Sequence, residues 1–451
     1  MTNYILGSFR LASRVLRAPL SCFCLIWAVL IPQLAQGEDW PQWRGPNRDG
    51  VWRENGIVSE LPEQLNFKWR MEIGQGYAGP AVVGNRLYVT DLVSGSEDRS
   101  SGGNRERVLC LDAGTGATLW KHEYACDYEI SYPQGPRATP TVDQGKVYTL
   151  GAMGDLICLD AATGEVRWSR NYIRDFGAQP PIWGFSAAPL VDGQKLIVIA
   201  GGSENRCVLA LDKETGREIW RSLEADEPGY SAPVIFEFGG ARQLIIWNPK
   251  GLYGLDPETG QAYWSREFPV RNGLTLATPI FDPDRNLLFV SAFYDGPLMM
   301  RTGADRPSAA LLWKGRSTSE IETDGLHSLM CTPVLDRGHL YGVDSYGQLR
   351  CLDALTGQRV WETLKATGKG RWWNAFLVRH QNRFIILNEQ GEMIFARLSP
   401  DGYRETSRTT LIEPVVPVRR RLTVWSHPAF ANRSIYARNN RSIVCADLSA
   451  R

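Results

Sequence analysis

The segment Ile157-Cys158-Leu159-Asp160-Ala161-Ala162-Thr163-Gly164-Glu165-Val166-Arg167-Trp168 decides the fold, because it recurs along the chain. Leu109-Cys110-Leu111-Asp112 runs through Thr115-Gly116 to Trp120, and Leu209-Ala210-Leu211-Asp212 through Thr215-Gly216 to Trp220. Two further copies carry Asp256, Thr259-Gly260 and Trp264, and Asp353, Thr356-Gly357 and Trp361. Between them, Ala310-Leu311-Leu312-Trp313 keeps the tryptophan but has lost the Asp and the Thr-Gly. The tryptophans at 120, 168, 220, 264, 313 and 361 are 44 to 52 residues apart. That period matches a four-stranded propeller blade and exceeds most helical repeats.

Each part of the motif has a mechanical reason. The apolar stretch ending in Leu-Asp reads as an inner strand. The Asp accepts hydrogen bonds from the amides of the following turn, and the Gly takes a positive φ that other residues resist. The next strand ends in Trp, whose large face fills the wedge between blades. Asp112, Asp160, Asp212, Asp256 and Asp353 are therefore read as turn residues rather than a carboxylate series for chemistry. Seven of the units open alike, on small residues and proline as in Ala138-Thr139-Pro140 and Ala187-Ala188-Pro189. Such residues suit an innermost strand crowding a central channel.

Degenerate copies extend the series at both ends. Residues 391–398 with the turn Pro400-Asp401-Gly402 make a seventh unit, and Ile443-Val444-Cys445-Ala446-Asp447 an eighth. The outer strand missing from the eighth is available upstream, where Trp69 lies 51 residues before Trp120. Pairing the two termini would remove an exposed sheet edge. The expected architecture is all-β: an eight-bladed β-propeller of four-stranded antiparallel blades over residues 65–451, closed by an N-terminal strand and preceded by an extension over 38–64.

Residues 1–37 read as an export signal. Arg10, Arg14 and Arg17 precede an apolar run from Ala18 to Leu34, no acid occurs, and Ala35-Gln36-Gly37 supplies a small-residue exit. The expected location is periplasmic or secreted, with membrane association only if the segment stays uncleaved as an anchor. Its removal takes the net charge from +1 to −2, which offers nucleic acid no basic field. Seven of the nine cysteines lie beyond it, an odd and scattered set that is no disulfide framework.

The Asp-x-x-Thr-Gly-x-x-x-Trp signature resembles the pyrroloquinoline-quinone (PQQ) repeat of bacterial quinoprotein dehydrogenases. It is shared by the propellers of the outer-membrane barrel-assembly machinery, the BamB-like proteins. The opening Trp40-Pro41-Gln42-Trp43-Arg44-Gly45-Pro46-Asn47 resembles the start of secreted bacterial PQQ-like propellers. In quinoprotein dehydrogenases the resemblance implies adjacent cysteines over the quinone, a Glu/Asn/Asp set for Ca²⁺ and an Asp base. This chain has no Cys-Cys pair and no Cys-x-x-Cys-His. PQQ with Ca²⁺ is accordingly not an expected cofactor, no metal site is expected, and five histidines offer little for one.

The expected function is a binding or assembly scaffold of the cell envelope, engaging an envelope protein. A divergent PQQ-dependent dehydrogenase and a carbohydrate-binding propeller that takes a small ligand or glycan are the alternatives. A site belongs on the rim formed by loops leading into the innermost strands and loops joining second to third strands. Candidate binding residues there are Arg137, Trp183, His327, Trp373, Asn374, Trp425 and His427, since aromatics that the repeat does not require mark binding surfaces. Two segments exceed the repeat: Ser94 to Arg107, a polar flexible loop, and Phe293 to Ser308, a lid, partner contact or decorated loop. Arg419-Arg420-Arg421 is either a solvated charge run or an anion-binding element.

Overall fold

A computed structural model describes Met1 and residues 38–94 and 103–450. The expected signal segment lies outside the described residues, as does most of the polar loop after Ser94. Eight four-stranded antiparallel sheets make the ring. Blades 1 to 7 span residues 81–125, 141–171, 190–222, 234–267, 280–314, 334–363 and 375–410, with strands paired in chain order from the channel outward. Blade 8 joins Ala429–Ala431, Ser434–Arg438 and Ser442–Asp447 to the strand Asn66–Glu72, with Asn66 opposite Asp447 and Glu72 opposite Ser442. The ring closes through its N-terminal strand.

The repeat residues act as the motif's chemistry requires. Asp160 Oδ1 accepts the amides of Ala162 (2.9 Å) and Thr163 (3.0 Å), and Gly164 closes the turn at φ +77°. The Arg167 guanidinium, 2.6 Å away, together with the Thr163 amide, holds the Asp160 carboxyl down at about 2. The strand ending in Asp is the third from the channel, inside the Trp-bearing outer strand. A β-bulge interrupts this last pairing in each of blades 1 to 7, next to the residue opposite the tryptophan where there is one, and adds local twist.

The tryptophans bind blade to blade. Trp120 donates its indole N–H to the Ala161 carbonyl of blade 2 (3.1 Å) and lies on Gly164, where a Cβ would come within 2.6 Å of the ring. Trp69 on Ala113, Trp168 on Lys213, Trp220 on Pro257 and Trp313 on Ala354 repeat the contact, each against the turn glycine of the next blade. Trp361 reaches Ser399 of blade 7. Trp264 is the exception: the next blade lacks the Thr-Gly turn, and the indole bonds Gln243 of its own blade at 2.7 Å. Apolar clusters accordingly sit between neighbouring blades, one such cluster uniting Tyr148 and Leu156 with Leu196 and Leu209.

Blade 5 corrects one expectation. Phe293 to Ser308 is not an elaborated loop, because Gly296–Thr302 is the third strand, paired to Leu287–Ala292 and Ala309–Lys314. Its Met299-Met300 pair is fully buried. All seven described cysteines are buried and unpaired.

Residues 40–52 thread the channel and bond to most of the ring. Trp40 exchanges backbone hydrogen bonds with Val82 of blade 1, and Pro41 accepts from Val142 of blade 2. Arg48 donates to the carbonyls of Ala188 and Pro189 at the entry to blade 3, and of Pro233 before blade 4. Trp43 donates to Thr278 Oγ1 before blade 5 (2.9 Å), and Trp52 bonds Arg379 of blade 7.

Candidate functional site

On the predicted rim the channel opens into a bowl of about 250 Å³. Its floor is Trp43 of the threaded segment, beside His427 at 4.9 Å. Its wall is largely aromatic: Tyr77, Tyr132 and Trp425 on one side, Trp183 and Tyr230 on another, Trp372 and Tyr294 on a third. Tyr77 and Tyr132 flank Trp425 at 6.4 and 6.2 Å, and Trp183 meets Tyr230 edge-on at 5.9 Å. Among the described residues Arg137 is the one cationic side chain of the lining, which holds no Asp, Glu, Asn or Gln.

Arg137 lies over the Tyr77 ring at 5.2 Å and donates to the carbonyls of Ser131 (3.2 Å), Tyr132 (2.5 Å) and Gly135. Burial lowers its affinity for its proton. The same burial pushes the Tyr77 hydroxyl up to about 12, so it stays protonated as a donor to Gln134. His427, packed between Trp43 and Phe376, is brought down to about 3 by burial and then by Arg44. It is neutral throughout the physiological range.

The loops between second and third strands hold this lining in place from behind. Glu389 is fully buried and accepts Trp425 Nε1 (3.1 Å) and the Asn374 amide (3.2 Å) while pairing with Arg421. Burial raises its carboxyl pKa. Asp344 accepts the His327 amide at 2.6 Å and pairs with Arg350 at 3.1 Å.

Of the residues expected on the rim, Arg137, Trp183, Trp425 and His427 meet in the bowl. His327, Trp373 and Asn374 do not line it. His327 is wholly buried with Nδ1 on the Phe293 carbonyl (3.2 Å), and Asn374 is buried behind Trp425. Trp373 packs on Gly347 and Gly368, whereas its neighbour Trp372 faces the bowl. Trp372 sits at φ +69°, and this left-handed kink decides which of the two rings points inward. Sequence reading also missed Trp43, whose partner Thr278 is 235 residues away. The Trp40-Pro41-Gln42-Trp43 motif was the available signal.

Below the threaded segment the channel opens again into a polar cavity of about 590 Å³, lined by Arg44, Arg48 and Asp49 among others. Among the described residues no group of three or more His, Cys, Asp or Glu is placed to hold a metal ion.

The family model described as outer membrane protein assembly factor BamB matches residues 104–363 and 302–449. BamB of Yersinia pestis is 26% identical over 219 residues, 47% of this chain and 51% of that protein, so the match spans about half the length of the relative. The structure of BamB from Moraxella catarrhalis superposes with a TM-score of 0.58 at 16% identity, covering 85% of this chain and all of that one. Quinohemoprotein alcohol dehydrogenase from Comamonas testosteroni gives 0.63 at 14% identity, covering 92% and 81%. These two superpositions establish a common fold. With its family match and its ring of Asp-x-x-Thr-Gly blades, the chain belongs to the PQQ-repeat propeller family of the outer membrane protein assembly factor BamB.

Proposed function

We infer that this protein is an exported binding or assembly scaffold of the cell envelope, and that the aromatic bowl is where it holds its partner. The observation that carries the reading is the bowl itself. It gathers nine Trp, Tyr and Phe rings, seven from rim loops, Trp43 from the threaded segment and Phe376 from the innermost strand of blade 7, around one cationic side chain. Exposed aromatic surface in a concave site marks binding. Membership of the BamB family supports an envelope role, with the partner a protein.

The described residues of the bowl do not fit PQQ with calcium. Ca²⁺ takes six to eight oxygen ligands, mainly carboxylates and carbonyls, and the lining contains no carboxylate among the described residues. This favours the scaffold over the dehydrogenase. The same lack of carboxylate and amide side chains disfavours a glycan, whose hydroxyls need such partners.

Titration with PQQ and Ca²⁺ tests the reading, followed by absorbance and melting temperature, alongside retention of envelope proteins on the immobilised chain. The expected result is no quinone spectrum and no thermal shift, with retention lost in the Trp183→Ala/Trp425→Ala variant at a largely preserved melting temperature. Stoichiometric quinone binding, or retention indifferent to both tryptophans, would overturn it.

A further inference from the structure

We propose that the bowl and an arginine collar around it form a docking site for an acidic protein segment, one that inserts an apolar side chain between flanking carboxylates. The proposal rests on the reading of the bowl as a partner site and adds the chemistry of the partner. Four arginines lie on rings that line the bowl. Arg137 covers Tyr77 at 5.2 Å and Arg271 covers Tyr294 at 4.9 Å. Arg371 and Arg419 both cover Trp372, at 4.6 and 4.8 Å.

Two of the four have carboxylates of their own: Arg271 with Asp295 at 3.7 Å, and Arg371 with Glu320 at 2.5 Å. Arg137 and Arg419 have none within 4.0 Å among the described residues, and Arg137 is satisfied only by carbonyls of its own loop. Arg419 and the exposed Arg420 form the tip of the hairpin Val416–Val418/Arg421–Thr423, with Arg419 at φ +54°. This accounts for the arginine run, of which only Arg421 is consumed internally, by Glu389.

Stacking a guanidinium on a ring fixes the direction of its in-plane N–H donors, which match the bidentate geometry of a carboxylate; those of Arg419 have no partner among the described residues, whereas Arg137, its terminal nitrogens held by carbonyls, contributes its unneutralised charge. An apolar hollow with cations standing unneutralised on its rim is complementary to an apolar anchor flanked by acids. Ile182 and Ile321, 48% and 65% exposed, carry the apolar surface outward beside Trp183 and beside Glu320. The volume suits one or two large side chains inserted from an extended segment, not a folded domain.

The probes are two labelled pentapeptides with a central tryptophan, one with two acidic residues on each side and one with the corresponding amides, read by fluorescence anisotropy on the full chain. Charge-assisted hydrogen bonds predict at least about tenfold tighter binding of the acidic peptide. The preference should collapse in about 0.5 M salt, where screening is short-ranged. Arg137→Gln and Arg419→Gln should each weaken the acidic peptide alone, and the exposed Arg419 gives a variant whose folding is not at issue. Equal binding of both peptides, unaffected by either variant, would overturn the collar while leaving the bowl as a partner site. Binding of neither peptide, with an acidic oligosaccharide bound instead, would overturn both readings.

Discussion

Trp168 and Trp183 place the same residue type in two settings, a blade interface and the wall of an open bowl. The Trp168 indole donates to Lys213 of the next blade at 3.0 Å and lies on Gly216, so its removal opens a cavity at a blade interface. Trp168→Ala is expected to cost roughly 3–5 kcal/mol, seen as a lower midpoint in denaturant unfolding. Trp183→Ala, whose ring borders an open bowl, should cost clearly less while abolishing partner binding. Equal destabilisation by the two would make Trp183 a packing residue. The first role was legible in the sequence because the blade period exposes it. The choice between Trp372 and Trp373 was not, since it turns on one backbone dihedral that no spacing encodes.

His427 adds a pH dependence at the same scale. Its unfolded form takes a proton near 6.5, whereas its buried form holds off until about 3. Below 6.5 the unfolded state binds the extra proton, so this residue's contribution is complete above that pH and declines as pH falls toward 3. Unfolding free energies at pH 7 and pH 4.5 should differ by about 2 kcal/mol more in the wild type than in His427→Gln. An identical difference in the two proteins would contradict the buried neutral imidazole.

At the scale of elements, two strands and one coil segment decide whether the ring exists. The pairing of Asn66–Glu72 with Ser442–Asp447 was visible from Trp69 standing one period before Trp120. The third strand of blade 5 was hidden because its turn has lost both Asp and Thr-Gly, and Trp264 of the preceding blade turns inward as a result. The channel segment was hidden for another reason: its partners are backbone groups of innermost strands and of the loops that enter them in many blades, which leave no periodic trace. Deleting residues 38–72 removes the closing strand and the floor of the bowl together. Unpaired backbone on blade 8 should then cause aggregation and loss of cooperative unfolding. A truncated chain as soluble and cooperative as the whole would show that neither element closes the ring.

At the scale of the molecule, the blades form a frame and the loops that join them form the rim. Tryptophans and Asp turns fix the frame from below and outside, while buried Glu389 and Asp344 anchor the rim loops from behind. The family match rests on the frame, and most of the aromatic wall of the bowl comes from rim loops between strands. If the chain works in the envelope, intact-mass analysis of protein from its native host should give a species beginning at Glu38, and a membrane-bound species retaining residues 1–37 would contradict cleavage.

The claim that the bowl face holds a protein partner is tested most directly by photo-crosslinking in the native host. A photoreactive residue is placed at Ile182 or Ile321 on the bowl rim, and at Leu119 or Val360 on outer strands of blades 1 and 6. All four positions are 44–65% exposed, so accessibility does not separate them. The account predicts one shared protein adduct from both rim positions and none from the outer strands. The same adduct from the outer strands, or none from the rim, would contradict it.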